Sequence, residues 1–135
     1  MTKFSELKLH PKVLQAVEEA GYTEPTPIQS GAIPFACEGR DILGIAQTGT
    51  GKTASFTLPI ITLLNRGRAR ARMPRSLVLA PTRELAAQVA ENFDTYSKYT
   101  KLTKALLIGG VSFKEQDQLI DRGVDVLIAT PGRLL

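Results

Sequence analysis

Short apolar runs alternate with helical stretches along this chain. Residues 11–20 read as a helix, with Pro11 suited to the first helical position and Gly21 to the stop. Thr26-Pro27 repeats the start signal, which predicts a short helix to about Ala36 with Gly39 after it. The run Ile42-Leu43-Gly44-Ile45 places a first strand at 41–46. A helix should follow from Lys52 towards Asn65, bent or interrupted near Pro59. Ser76–Ala80 reads as a buried strand, and Thr82 as the cap of the next helix. Leu85, Val89, Phe93 and Tyr96 make one apolar stripe on that helix, a core stripe. Lys104–Ile108 is a third strand. Ser112–Glu115 fits a capping box for a helix that Gly123 ends. Val124–Ala129 is a fourth strand, and Thr130-Pro131 opens another helix. Strands alternating with helices predict a parallel, doubly wound α/β sheet that binds ligands at the strands' C-terminal ends.

Composition narrows the class only slightly. The 135 residues make at most one domain, and the hydrophobic share, 43%, is ordinary for a globular chain. No apolar run approaches the ~18 residues needed to span a bilayer, and the N-terminus does not resemble a signal peptide. The expected location is the cytoplasm, with no membrane partner. Cys37 has no metal-ligand companions and reads as a small buried side chain; His10 reads as a polar residue before a helix. The net charge of +4 is local: Arg66, Arg68, Arg70, Arg72 and Arg75 are five of 17 basic residues, and the other 12 face 13 acidic ones, a net of −1. The cluster is either a solvated loop or an auxiliary nucleic-acid contact.

The chemistry lies in the loops after the strands. Residues 46–53, Ala-Gln-Thr-Gly-Thr-Gly-Lys-Thr, form a phosphate-binding loop between an apolar run and a helix start. Gly49 and Gly51 allow the backbone to turn tightly and aim N–H groups inward. The dipole of the following helix adds to the anion site. Lys52 brings a positive charge to the β- and γ-phosphates, and Thr53 offers a hydroxyl to Mg²⁺. Ala46 stands where the general pattern has its first glycine. Pro81-Thr82-Arg83-Glu84-Leu85, Gly109-Gly110 and Thr130-Pro131-Gly132-Arg133 each follow a predicted strand. Singly they are turns with helix caps; together with the phosphate loop they suit a second phosphate-rich ligand.

These residues, as a set, resemble the first half of a DEAD-box ATP-dependent RNA helicase. Gly21–Gln29, with Phe4 upstream, is similar to the family's Q motif, and Ala46–Thr53 to its motif I, alanine included. Pro81–Ala86 resembles motif Ia, Gly109-Gly110 the GG motif and Thr130–Arg133 motif Ib. The resemblance covers essentially the whole chain, with wording closest to the bacterial RhlE-like branch. It implies a partial RecA-like P-loop domain, residues 1–40 carrying the Q-motif region and 41–135 the remaining motifs.

The resemblance also implies roles. ATP would be held by Phe4, Tyr22, Thr26, Gln29, Thr48, Gly49, Thr50, Gly51, Lys52 and Thr53. Gln29 would read adenine with its amide and Tyr22 would stack on it. Phe4 would support that pocket or merely pack; a capping glutamine is the structural alternative for Gln29. Lys52 and Thr53 would be catalytic, Thr53 through Mg²⁺. Pro81, Thr82, Arg83, Gly109, Gly110, Thr130 and Arg133 would hold the backbone of single-stranded or duplex RNA without reading its sequence. The family's Asp-Glu-Ala-Asp and Ser-Ala-Thr motifs are not in this sequence, nor is the second RecA-like domain that would be a partner across the cleft. The expectation is a helicase as the parent protein, and a 135-residue piece that binds nucleotide at most. The strands carrying those motifs would lie between the phosphate-loop strand and the others, which predicts a gap in the sheet. A P-loop kinase or DNA translocase would share Lys52 and Thr53 but has no use for the other motifs. A non-catalytic nucleotide- or RNA-binding module remains open.

Overall fold

His10 and Pro11 start the first helix as the sequence predicts. The computed structural model describes residues 3–46, 51–66, 76–108 and 124–131. After a 3₁₀ turn at Phe4–Glu6, helix α1 spans Pro11–Glu19. His10 caps it, Nδ1 accepting from the Lys12 N–H at 3.1 Å. Val13, Ala16 and Val17 form its buried stripe, and Gly21 ends the reversal at φ +91°. Helix α2, Pro27–Cys37, buries Ala32, Ile33 and Cys37; Gly39 follows at φ +83°.

Helix α3 spans Lys52–Arg66 without a break, although Pro59 lies inside it. Of the bend or interruption expected near Pro59, the interruption does not occur. Packing explains this: Leu58, Pro59, Ile61 and Thr62 are almost completely buried, and such burial outweighs the lost backbone bond. Helix α3 packs chiefly against α2 and also touches α1. The His10 N–H donates to the Thr62 hydroxyl at 3.2 Å, which fixes the start of α1 on α3.

The strand expected at 41–46 is absent. This segment carries no regular structure, and Leu43 and Ile45 are 90% and 87% exposed. Its apolar run has strand character, but a strand needs a neighbour for its backbone groups, and no described strand pairs with it.

Three strands do form: β1 at Ser76–Leu79, β2 at Lys104–Leu107 and β3 at Val126–Ala129, with helix α4 at Arg83–Tyr96 between the first two. All pairings are parallel, in the order β1-β3-β2. Central β3 is buried throughout, while β1 leaves Leu77 and Leu79 half exposed. Ala105, Leu107, Val124, Leu127 and Ala129 form one core cluster. Before the strands, Asp125 Oδ2 accepts from the Thr103 N–H at 3.1 Å, and the Thr103 hydroxyl accepts from the Asp125 N–H at 3.2 Å.

Thr82 caps α4, its hydroxyl accepting from the Leu85 N–H at 3.1 Å. Val89 and Phe93 of the expected stripe are buried; Leu85 and Tyr96 are partly so. The chain divides into two compact units, Met1–Arg66 with Asn92–Lys101, and Gly67–Glu91 with Leu102–Leu135. The helices expected after Ser112 and after Pro131, and most of the arginine cluster, fall outside the described residues.

Candidate nucleotide and nucleic-acid sites

In the first unit, the turn into α2 and the start of α3 meet at one backbone carbonyl. Thr26 and Gln29 stand in the capping-box arrangement at the N-terminus of α2. Gln29 Oε1 accepts from the Thr26 N–H at 2.9 Å, and its Nε2 donates to the Gly51 carbonyl at 3.1 Å. Thr26 Oγ1, by contrast, is buried with no aligned partner among the described residues. That carbonyl also accepts from the Ser55 N–H, the first helical bond of α3, at 3.3 Å. Gln29 is buried, so its amide fixes this junction away from competing water.

Gly51 is glycine for two reasons. Its φ of +80° is left-handed, and a Cβ there would lie 2.2 Å from Gln29 Nε2 and 3.3 Å from Thr26 Oγ1. Gly51 thus lets the α2 N-terminus contact the loop.

Lys52 is exposed, and its Nζ donates to the Ala46 carbonyl at 2.9 Å. The ammonium is thereby drawn back across the loop, and residue 46 takes part through its backbone. Thr53 sits in the first turn of α3, partly buried. Thr48, Gly49 and Thr50 lie outside the described residues.

Tyr22 and Phe4 behave differently. Phe4 is buried, and its N–H donates to the Thr23 carbonyl at 3.3 Å, which ties the N-terminal turn to the segment after Gly21. Tyr22 is 54% exposed, leaving its ring accessible for stacking. Burial, and then the nearby Tyr22 phenol, push the Tyr96 hydroxyl above its ordinary pKa.

In the second unit, the parallel register aligns the C-terminal ends of the strands. Leu79 and Leu107 both pair with Ala129. The Ala80 N–H donates to the Ala129 carbonyl at 3.0 Å, and the Thr130 N–H to the Leu107 carbonyl at 3.2 Å. Exposed Pro81, Thr82 and Arg83 therefore share a sheet end with Thr130 and with the N-terminus of α4. Gly109, Gly110 and Arg133 lie outside the described residues. An aligned edge with a helix N-terminus and a guanidinium suits phosphates.

Sequence reasoning did not find the Gln29–Gly51 bond or the Lys52–Ala46 bond. Thr-x-x-Gln before a helix spells a capping box, which signals the Gln29 bond to the Thr26 N–H but not the long-range bond to Gly51. Among the described residues no cluster of acidic or metal-ligating side chains could hold a metal, and no helix is long and apolar enough to cross a membrane.

The fold and these motifs define a P-loop helicase domain, and comparison agrees. The DEAD/DEAH box helicase family model matches residues 26–135; the chain belongs to that family. The chain is 48% identical over 132 residues to the ATP-dependent rRNA helicase RRP3 of Meyerozyma guilliermondii, covering 98% of itself and 27% of that protein. It is 46% identical to the ATP-dependent RNA helicase SrmB of Escherichia coli, covering 100% of itself and 31% of that protein. The crystal structure of the RNA helicase Prp28 from Chaetomium thermophilum bound to ADP superposes with a TM-score of 0.90 at 40% identity, over 99% of this chain and 33% of that one. The architecture is thus the RecA-like helicase fold, and the chain spans about a third or less of these relatives.

Proposed function

We propose that this chain is the nucleotide-binding and RNA-contacting part of an ATP-dependent RNA helicase. The protein as a whole would couple ATP hydrolysis to unwinding duplexes or remodelling RNA–protein complexes in the cytoplasm. The observation that carries this reading is the Gln29 amide, which joins the Tyr22–Gln29 segment to the phosphate loop. One segment offers a base platform and the other a phosphate cradle, as a nucleoside triphosphate requires.

Gln29 keeps capacity for a base. A carboxamide has two acceptor lone pairs and two donor hydrogens, and the bonds to Thr26 and Gly51 use one of each. The remaining pair matches the N6/N7 edge of adenine. Tyr22 stacks on the base, with Phe4 beneath its loop and Thr26 at the pocket wall. Thr48, Gly49, Thr50 and Gly51 hold phosphates through the backbone. Lys52 exchanges its bond to the Ala46 carbonyl for the phosphate oxygens, a stronger charge-assisted partner. The Thr53 hydroxyl is a hard oxygen donor that fits Mg²⁺ as one ligand; the ion would neutralise charge on the phosphates.

Pro81, Thr82, Arg83, Gly109, Gly110, Thr130 and Arg133 hold the RNA sugar-phosphate backbone without sequence preference. A second RecA-like domain in the whole protein closes over the nucleotide. Residues 1–135 on their own bind nucleotide without turning it over, because the Asp-Glu-Ala-Asp carboxylates are not in this sequence. These residues form one partial domain, 1–40 with the base segment and 41–135 with the phosphate and RNA loops.

The test is ATPase activity of the intact protein with ATP and GTP, with and without single-stranded RNA. RNA-stimulated turnover that prefers ATP, and loses the preference in Gln29→Ala, is the expected result. Equal use of ATP and GTP by the unmutated protein would sink the base-pocket assignment.

A further inference from the structure

Glu19, the last residue of α1, is tethered to the segment that follows α4. Tyr99 Oη donates to Glu19 Oε2, and Lys98 Nζ lies 3.0 Å from the same oxygen. The Lys98 ammonium also sits 5.2 Å from the centre of the Tyr99 ring, so the three groups form one network. All three belong to the first compact unit, as does Tyr22.

The tether sits three residues before Tyr22. The reversal between them is tight: the Ala20 N–H bonds the Ala16 carbonyl, the Gly21 N–H bonds the Glu18 carbonyl at 3.0 Å, and the Tyr22 N–H bonds the Val17 carbonyl at 3.3 Å. Fixing Glu19 therefore fixes the base of the loop that presents the Tyr22 ring. On the other side, the bond from Phe4 to Thr23 holds the loop's far end. At the end of α4, three residues before Tyr99, half-buried Tyr96 lies within electrostatic reach of Tyr22.

We propose that Glu19, held by Lys98 and Tyr99, is a positioning residue for the Tyr22 ring and hence for the base of a bound adenine nucleotide. This rests on the reading that Tyr22 stacks on adenine. The network is exposed, so it adds little to global stability. Its effect falls on the geometry of one accessible aromatic side chain, and so on ground-state binding rather than on chemistry.

The experiment is steady-state RNA-stimulated ATPase kinetics on the intact protein, with thermal melting alongside. Glu19→Gln, Tyr99→Phe and Lys98→Met should each raise KM for ATP, by about threefold or more in Glu19→Gln, while kcat changes less than about twofold. The triple variant should be no worse than Glu19→Gln, because the groups act as a unit. Lys98→Arg should restore KM to near the unmutated value. An unchanged KM in Glu19→Gln, beside a raised KM in Tyr22→Ala, overturns the positioning role and leaves the base pocket standing. An unchanged KM in Tyr22→Ala overturns the pocket reading and the proposal with it. A fall in melting temperature and kcat together with the KM change also overturns the proposal, since Glu19 would then only hold the fold.

Discussion

Gln29 Nε2 and the Gly51 carbonyl, 3.1 Å apart, join the start of α2 to the start of α3. The contact is possible only because residue 51 lacks a side chain. Gly51→Ala should therefore act twice, straining a left-handed backbone and displacing the Gln29 amide. We expect a stability loss of about 1–3 kcal/mol and a large loss of nucleotide affinity. Chemical denaturation beside titration with a fluorescent ADP analogue checks both; a neutral substitution would mean that the junction is not a constraint.

Lys52→Ala removes an exposed ammonium that donates to the Ala46 carbonyl. The fold should survive, as no core packing is lost, while ATP turnover by the intact protein should disappear. Circular dichroism and a steady-state assay give the two readouts. Hydrolysis retained with a normal spectrum would show Ala46–Thr53 to be a turn only.

For RNA, Arg83→Ala and Arg133→Ala should weaken binding about equally across sequences. Each should reduce the salt slope of log affinity by about 1, the mark of one phosphate contact. Alanines across Arg66–Arg75 should matter less, because the cluster precedes β1 in the sequence whereas Thr82 and Arg83 follow it. Fluorescence anisotropy at several salt concentrations decides. A larger loss from the cluster than from Arg83 and Arg133 together would move the RNA track.

Acid should weaken the Glu19 network. The Tyr99 hydroxyl, then Lys98, hold the Glu19 carboxyl below its ordinary 4.5. A depressed carboxylate stabilises the fold above its unfolded pKa, and that contribution fades as pH falls through the folded value. Lys98 and Tyr99 are both raised, chiefly by their bonds to Glu19, so their share fades on the alkaline side, above the ordinary tyrosine value of 10.0. Melting temperature between pH 3 and 6 should fall slightly less steeply in Glu19→Gln than in the unmutated chain. Parallel curves would show that the network carries no proton linkage.

Much of the fold was legible because its signals are local. His10-Pro11, Thr26-Pro27 and Thr82 start helices where expected, and the Val89–Phe93 stripe is buried as its spacing implied. The misses have nonlocal causes. The apolar run at 41–46 has strand character, but the run itself cannot supply a pairing partner. Pro59 disfavours an unbroken helix by local preference, yet burial and packing against α2 keep α3 continuous. In the site, the sequence offered Gln29 as a base reader or a capping glutamine, while its bond to Gly51 depends on how α2 meets α3 across 22 residues. The bond from Tyr99 to Glu19 spans 80 positions and leaves no periodic trace.

The β1-β3-β2 order also ranks how the backbone will open. Amides of β3 are sandwiched between two ladders and buried, so hydrogen–deuterium exchange there should need the whole sheet to come apart. Half-exposed β1, with a ladder on one side, should exchange through smaller fluctuations. Residues 42–45, which join no sheet among the described residues and carry exposed Leu43 and Ile45, should be labelled early, which makes that stretch a natural place for a protease to enter.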